Sequence, residues 1–397
     1  MIHYIFVKSN IGFKFSYAIC GFKKSKKPDL PVIYSPLPCT YAGVFTTNQI
    51  HAACVDENKR LLKKRKKIRA IIVNSGNANA CTGKLGIGTV KKTQQIASNL
   101  LKVKPDEVLI ASTGAIGVHL DMEKMKNGIK SAVPKLSPKN FNNAAKAILT
   151  TDRFVKTVSK STKDFKIIGF TKGAGMIHPN MATMLCYLMT DLKMSQNLLQ
   201  EVLNTAVNVS FNNISVDADM STNDMVVILS NNSSRREVKS KKDPLFLSFQ
   251  KVLNESCIKL AKQVVLDGEG SQKLIEVKVI GAKTETDAKI IARSVSSSNL
   301  FKCAIYGSDP NWGRAAARIG ATSVKINQNK IDIFLNKTMV YKNGNPLTFD
   351  KGKLSKEIRK NKGLKVTINL KLGKKSGTAY GCDLTKEYVN FNSAYFT

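Results

Sequence analysis

The 397-residue sequence has no apolar run of roughly 18 residues or more, which excludes an ordinary membrane-spanning helix. Its start, "MIHYIFVKSNIGFKFSYAICGFKKSKK", lacks a compact apolar core with a cleavage site, so no secretory signal is read there. A cytoplasmic location is the expectation. The eight cysteines are scattered without a C-x-x-C pair, a spacing that suits neither a zinc knuckle nor a disulfide framework. Reduced, mostly buried thiols are expected. His3, His51, His119 and His178 are equally dispersed, so no metal site is expected. Neither a G-x-G-x-x-G turn nor a P-loop lysine is present, which removes the usual nucleotide-binding signatures.

Acidic residues are also scarce. Against 28 Asp and Glu stand 63 Lys and Arg, a net charge of +35. The runs "GFKKSKK" (21–27) and "NKRLLKKRKKIR" (58–69) have the clustered charge that binds phosphates by counterion release. Aromatic residues are not interleaved with them as a base-stacking platform requires, and no nucleic-acid-binding motif is visible. A solvated lysine surface is therefore expected, with neither nucleic acid nor membrane as partner.

What is present reads as mixed α/β. A hydrophobic fraction of 43% over this length supports a large core, expected as two lobes. The β-branched run "AIIVN" (70–74) enters the turn-rich "SGNANACTG". A helical pattern covers 88–101, and 106–117 reads as a strand running into a glycine turn. In 244–270, Phe249, Val252, Leu253, Leu260, Val264 and Val265 recur at helical spacing before a glycine stop. Strands are expected at 275–282, within 325–346 around an Asn-Gly turn, and at 365–372. The polar stretch 231–243 is expected to be a surface loop.

Three segments carry candidate chemistry. In "KGAGMIHPNMATML" (172–185), glycines and a proline crowd against Thr183 amid apolar residues, which suits a tight, partly buried turn. A threonine hydroxyl is a poor nucleophile without a base, but cleavage of the preceding peptide bond would free an α-amine with a pKa of about 7.7–8.0. That amine could take the hydroxyl proton. On local sequence alone an incidental threonine in an apolar turn stays open. In "ASTGAIG", Thr113 and Gly114 end a strand where amide and hydroxyl donors could hold an oxyanion. In "LDGEG" (266–270), Glu269 sits exposed between two glycines, placed to bind a cation or simply solvated.

Taken in order, "GVFTTN" (43–48), "NSGNANACTG" (74–83), "STGAIG" (112–117), "TTD" (150–152), "KGAGMIHPNMATML" (172–185), "DGEG" (267–270), "GSDPNWGR" (307–314) and "NFNSAYFT" (390–397) resemble the ornithine acetyltransferase family. The resemblance spans nearly the whole chain. It implies layered sheets flanked by helices and a precursor that cleaves itself between Ala182 and Thr183. The products would be an α chain, 1–182, and a β chain, 183–397, whose first residue is the nucleophile. An α2β2 heterotetramer is implied.

By the same resemblance, Thr183 takes the acetyl group of N-acetylornithine and passes it to glutamate, giving ornithine and N-acetylglutamate. Thr113 and Gly114 form the oxyanion hole. Substrate contacts fall on Thr150 or Thr151, Lys172, Thr183, Glu269, Asn392 and Thr397. No bound cofactor or metal is implied, and acetyl-CoA stays open as a co-substrate. The opening "SYAICGFKKSKKPDL" and the lysine-rich stretches near 59–67 and 235–242 depart from the family pattern. Little chain precedes the matched "GFK" at 12–14, which keeps the expected location cytoplasmic. Two alternatives remain beside it: an autoprocessed amidase or aminopeptidase with water as acceptor, and a basic nucleic-acid-binding protein.

Overall fold

The computed structural model describes residues 11–178 and 184–394. The chain begins with β1 (Lys14–Ala18) and the long β2 (Leu30–Phe45), followed by α1 (Ala53–Lys63) and β3 (Ile68–Asn77). Next come α2 (Gly83–Leu101), β4 (Val108–Ala115), α3 (Met122–Ala132) and α4 (Phe141–Ala147). The hairpin β5 (Lys156–Ser161) and β6 (Lys166–Lys172) leads to β7 (Leu185–Thr190) and the short β8 (Lys193–Met194). After α5 (Gln196–Asn208) run β9 (Met225–Ser230), β10 (Glu237–Val238) and α6 (Pro244–Leu266).

These strands order as β4-β3-β2-β9-β7-β6-β5, with β1 also paired to β2. The sheet is covered on both faces, which its alternation requires. Met225, Val227 and Leu229 of β9 enter a core shared with the α1–α4 side. Val226 and Ile228, between them in sequence, enter a second core with α5 and α6. Helix α6 is punctuated as its sequence implies: the Asp243 carboxylate accepts from the Leu245 N–H at 2.9 Å, and Pro244 occupies the first turn.

A second sheet follows. It comprises β11 (Leu274–Ala282), β12 (Asp332–Leu335), β13 (Thr338–Lys342), β14 (Asn345–Pro346), β15 (Gly363–Asn369) and β16 (Lys375–Cys382). Its helices are α7 (Glu285–Ser296), α8 (Asn299–Tyr306), α9 (Trp312–Gly320) and α10 (Lys351–Lys360), and α11 (Lys386–Asn392) ends the described chain. Ile275, Val277 and Val279 alternate into a third core. The Asn343-Gly344 turn joins β13 to β14 with both residues at positive φ, 50° and 80°, as a two-residue hairpin needs.

The stretch 231–243 is not wholly loop. Glu237–Val238 pairs in parallel with Lys193–Met194, a two-stranded edge too short to show in the polar composition. Helix α2 starts at Gly83, five residues before the expected 88; of its early glycines Gly86 is closely packed, where a methyl would meet Thr82 Oγ1. Strands from the two sides of the expected cleavage position share the large sheet. Strand β6, before it, pairs with β7, after it, from Lys172↔Leu185 to Ile167↔Thr190. Among the described residues no helix is long and apolar enough to cross a membrane.

Candidate active site

The site lies where strand ends and turns of the large sheet meet α11. β3 and β4 run parallel, bringing Gly76 beside Gly114. Both have positive φ, 114° and 134°, and a methyl on Gly114 would sit 2.2 Å from the Gly76 carbonyl carbon. Only glycine permits that approach. The Asn223 side-chain amide donates to Ala78 O at 2.7 Å and Ser112 O at 2.8 Å, tying the two turns together.

A cavity of about 140 Å³ opens against these turns. It gathers seven of the residues expected from the sequence: Thr113, Gly114, Thr150, Thr151, Lys172, Glu269 and Asn392. Both threonines of the 150/151 pair line it. Ala182, Thr183 and Thr397 lie outside the described residues. Met184, next to the expected nucleophile, is held by its N–H donating to Asp224 Oδ1 at 2.9 Å.

Lys172 is buried, and its Nζ donates to Thr113 Oγ1 at 3.2 Å. No carboxylate among the described residues lies within salt-bridge distance of it. Burial pushes its pKa down, and Asp152 is the chief group resisting that shift. On another wall, Asn392 Nδ2 donates to Glu269 Oε2 at 3.0 Å. Glu269 is half-buried rather than exposed, because it folds over the turn after β6: its N–H donates to Ala174 O at 3.0 Å. A methyl on Gly175 would come within 2.3 Å of its Oε2. The crowded glycines of 172–185 thus admit a carboxylate against the backbone.

A buried ion cluster aligns these pieces. Lys156 Nζ bridges Asp152 Oδ1 at 2.6 Å and Asp267 Oδ2 at 2.5 Å, all three side chains fully buried. Asp152 also accepts from the N–H groups of Thr150 (3.0 Å) and Gly173 (2.7 Å). Burial pushes the Asp152 carboxyl up, but Lys156, Lys172 and the Gly173 amide outweigh it and hold it at about 2. Asp267 ends α6 two residues before Glu269 and accepts from Arg153 Nε at 3.0 Å.

Sequence reasoning missed Asp152 and Lys156, although "TTD" held the first of them. It also missed Asp217, Asn223 and Tyr388, which line the cavity, and Asp224. The signal was available: Asp217, Asp219 and Asp224 fall within eight residues of a chain poor in acids. Asp217 accepts from the N–H groups of Met176 (2.6 Å) and Ile177 (2.8 Å), and burial pushes its carboxyl up to about 6. Burial also raises Asp224 well above the carboxylate range, and its Oδ2 has no hydrogen-bond partner among the described residues.

Residues 14–397 match the ArgJ family. This chain belongs to that family, the ornithine acetyltransferases of arginine biosynthesis. It is 42% identical over 394 residues to the "Arginine biosynthesis bifunctional protein ArgJ" of Caldanaerobacter subterraneus subsp. tengcongensis, covering 97% of each chain. It is 40% identical over 410 residues to "Arginine biosynthesis bifunctional protein ArgJ, mitochondrial" of Heterostelium pallidum, covering 97% of this chain and 94% of that one. Among solved structures, the arginine biosynthesis bifunctional protein ArgJ of Bacillus halodurans aligns with a TM-score of 0.51 and 37% identity. That match covers 53% of this chain and 98% of the solved one. The mixed α/β fold, with sheets and flanking helices, is that of the family.

Proposed function

We propose that this chain transfers the acetyl group of N2-acetylornithine to glutamate through an acetyl ester on Thr183, after cutting itself between Ala182 and Thr183. The observation that carries this is the cavity's arrangement of charge. A buried cation, Lys172, and a half-buried carboxylate, Glu269, both line the cavity of about 140 Å³. Lys172 offers a point charge to a substrate carboxylate, and Glu269 pairs with the side-chain ammonium of ornithine.

The chemistry is a double displacement. The Thr183 amine takes the proton of its own hydroxyl as Oγ attacks the acetyl carbonyl. The carbonyl oxygen becomes an oxyanion beside Thr113 and Gly114. Because Lys172 donates to Thr113 Oγ1, the Thr113 hydroxyl proton is free to point at that oxyanion. Collapse breaks the amide C–N bond, and the nitrogen leaves with the proton from the Thr183 amine. Glutamate then attacks the ester through its α-amine, regenerating the threonine hydroxyl.

The β6–β7 pairing would keep both products of the cut in one αβ unit, which then pairs into α2β2. The Bacillus halodurans chain, matching 53% of this one, has about the length of 183–397. Intact-mass analysis with a denaturing gel tests the proposal. Two fragments dividing before Thr183 are expected, and Thr183→Ala should stay whole and transfer nothing. A single uncut chain with full activity would overturn it. Acetyl-CoA as sole donor, assayed in parallel, decides whether glutamate is also acetylated directly.

A further inference from the structure

Burying a lysine is costly unless its ammonium is paired or hydrogen-bonded, so each buried lysine asks for a partner. Lys156 has Asp152 and Asp267, Lys289 has Glu285 at 2.6 Å, and Lys302 donates to the Val216 carbonyl. Lys172 has a hydroxyl partner and faces the catalytic cavity. Lys273, like Lys302, donates to neutral acceptors; it is buried where the loop after α6 enters β11, with the Asp383 carboxyl near enough to feel its charge. Its Nζ donates to Ile305 O at 3.3 Å and Ser308 Oγ at 3.2 Å, both neutral. No carboxylate among the described residues lies within salt-bridge distance of it.

Lys273 lines a second cleft of about 590 Å³, which shares no residue with the catalytic cavity. Arg359, Lys360 and Lys362 line it as well, and no acidic residue does. Arg359 and Lys360 close α10, where basic side chains offset the negative end of the helix, so alone they would mean little. Lys273 comes from another element and is held inward: Asp383 Oδ1 accepts from the N–H groups of Gln272 and Lys273, both at 2.9 Å. Tyr306 adds an aromatic ring to the wall, and the volume falls in the range of small-molecule sites.

We propose that the cleft bounded by Lys273, Ser308, Tyr306, Arg359 and Lys362 binds a phosphate-bearing small molecule. A buried ammonium with a spare N–H supplies a point charge for a phosphate oxygen, while the exposed Arg359 and Lys362 hold the outer oxygens. The tyrosine ring offers a flat face to a base, if the phosphate carries one. The site is independent of the acetyl-transfer proposal, because the two cavities have separate linings.

The net charge of +35 attracts anions everywhere, so the test must separate a site from a counterion atmosphere. Isothermal titration calorimetry of the purified full chain near physiological salt would use inorganic phosphate and AMP as separate probes. Saturable binding at one site per chain is expected for at least one of them. Lys273→Met should weaken it by about tenfold or more. The exposed pair Arg359→Glu with Lys362→Glu should do the same, which keeps the test valid if Lys273→Met fails to fold. Lys64→Met, at the end of α1 and not among the residues that line the cleft, should change nothing. Tighter binding of AMP assigns a nucleotide, and equal or tighter binding of inorganic phosphate assigns a free phosphate. Absence of saturable binding by both probes, or equal weakening in Lys64→Met, overturns the proposal. Acetyl transfer measured on the same preparation reports separately on the catalytic cavity.

Discussion

The carboxylate of Glu269 rests against Gly175, where a single methyl group would come within 2.3 Å of Oε2. Ninety-odd residues of chain, including α5 and α6, separate the two positions, and the close approach exists only because the loop after α6 folds back over the turn after β6.

Gly175→Ala should therefore displace the Glu269 side chain without touching its chemistry. A misplacement on the order of 1 Å costs roughly 10²-fold in rate. We expect kcat/KM for acetyl transfer to fall by about that factor while far-ultraviolet circular dichroism stays unchanged. Full activity in Gly175→Ala would mean that Glu269 need not hold its observed place.

Glu269→Gln keeps the shape and the contact with Asn392 but removes the charge. Hydrogen bonds to charged groups contribute about 1.5–3 kcal/mol, so the KM for acetylornithine should rise by roughly 10–150-fold. The KM for glutamate, which has no side-chain ammonium, should move far less. Equal losses for both substrates would refute the pairing with ornithine.

Lys156→Met would leave the Asp152 and Asp267 carboxylates buried and facing each other without their cation. Breaking a buried pair by removing one partner costs about 3–5 kcal/mol. Denaturant unfolding should show a loss of that size. A change within about 0.5 kcal/mol would show that water or Arg153 takes over the role.

Asp217 predicts a pH dependence of stability. Its folded pKa, about 6, lies above the ordinary 3.8, so the folded state binds the proton more tightly than the unfolded one. Its contribution to stability is fully present below pH 3.8 and is lost as pH rises through about 6. Unfolding free energies of the native chain and Asp217→Asn, compared across that window, isolate this group from the other carboxylates. The native chain should lose stability relative to the variant as pH rises. A difference independent of pH would contradict the shifted pKa.

Much of the architecture was legible locally. The strand into Thr113-Gly114, helix α6 and the Asn343-Gly344 hairpin follow from β-branched runs, helical periodicity and turn residues, all short-range signals. The family was legible too, because its motifs are contiguous strings. Asp152 and Lys156 were not singled out, since an acid and a base four residues apart read as ordinary surface charge until burial makes them a cluster.

By itself, then, the order of residues determined which segments become strands and helices and which short strings carry chemistry. Only the tertiary structure decided that Lys172 and Thr113 touch, that Glu269 folds over Gly175, and that Lys273 lies buried with its ammonium on Ile305 O and Ser308 Oγ. The reason is physical: local propensity acts over a few residues. The energies of a buried charge, and the space left for a side chain, depend on neighbours that sheet pairing brings in from far along the chain.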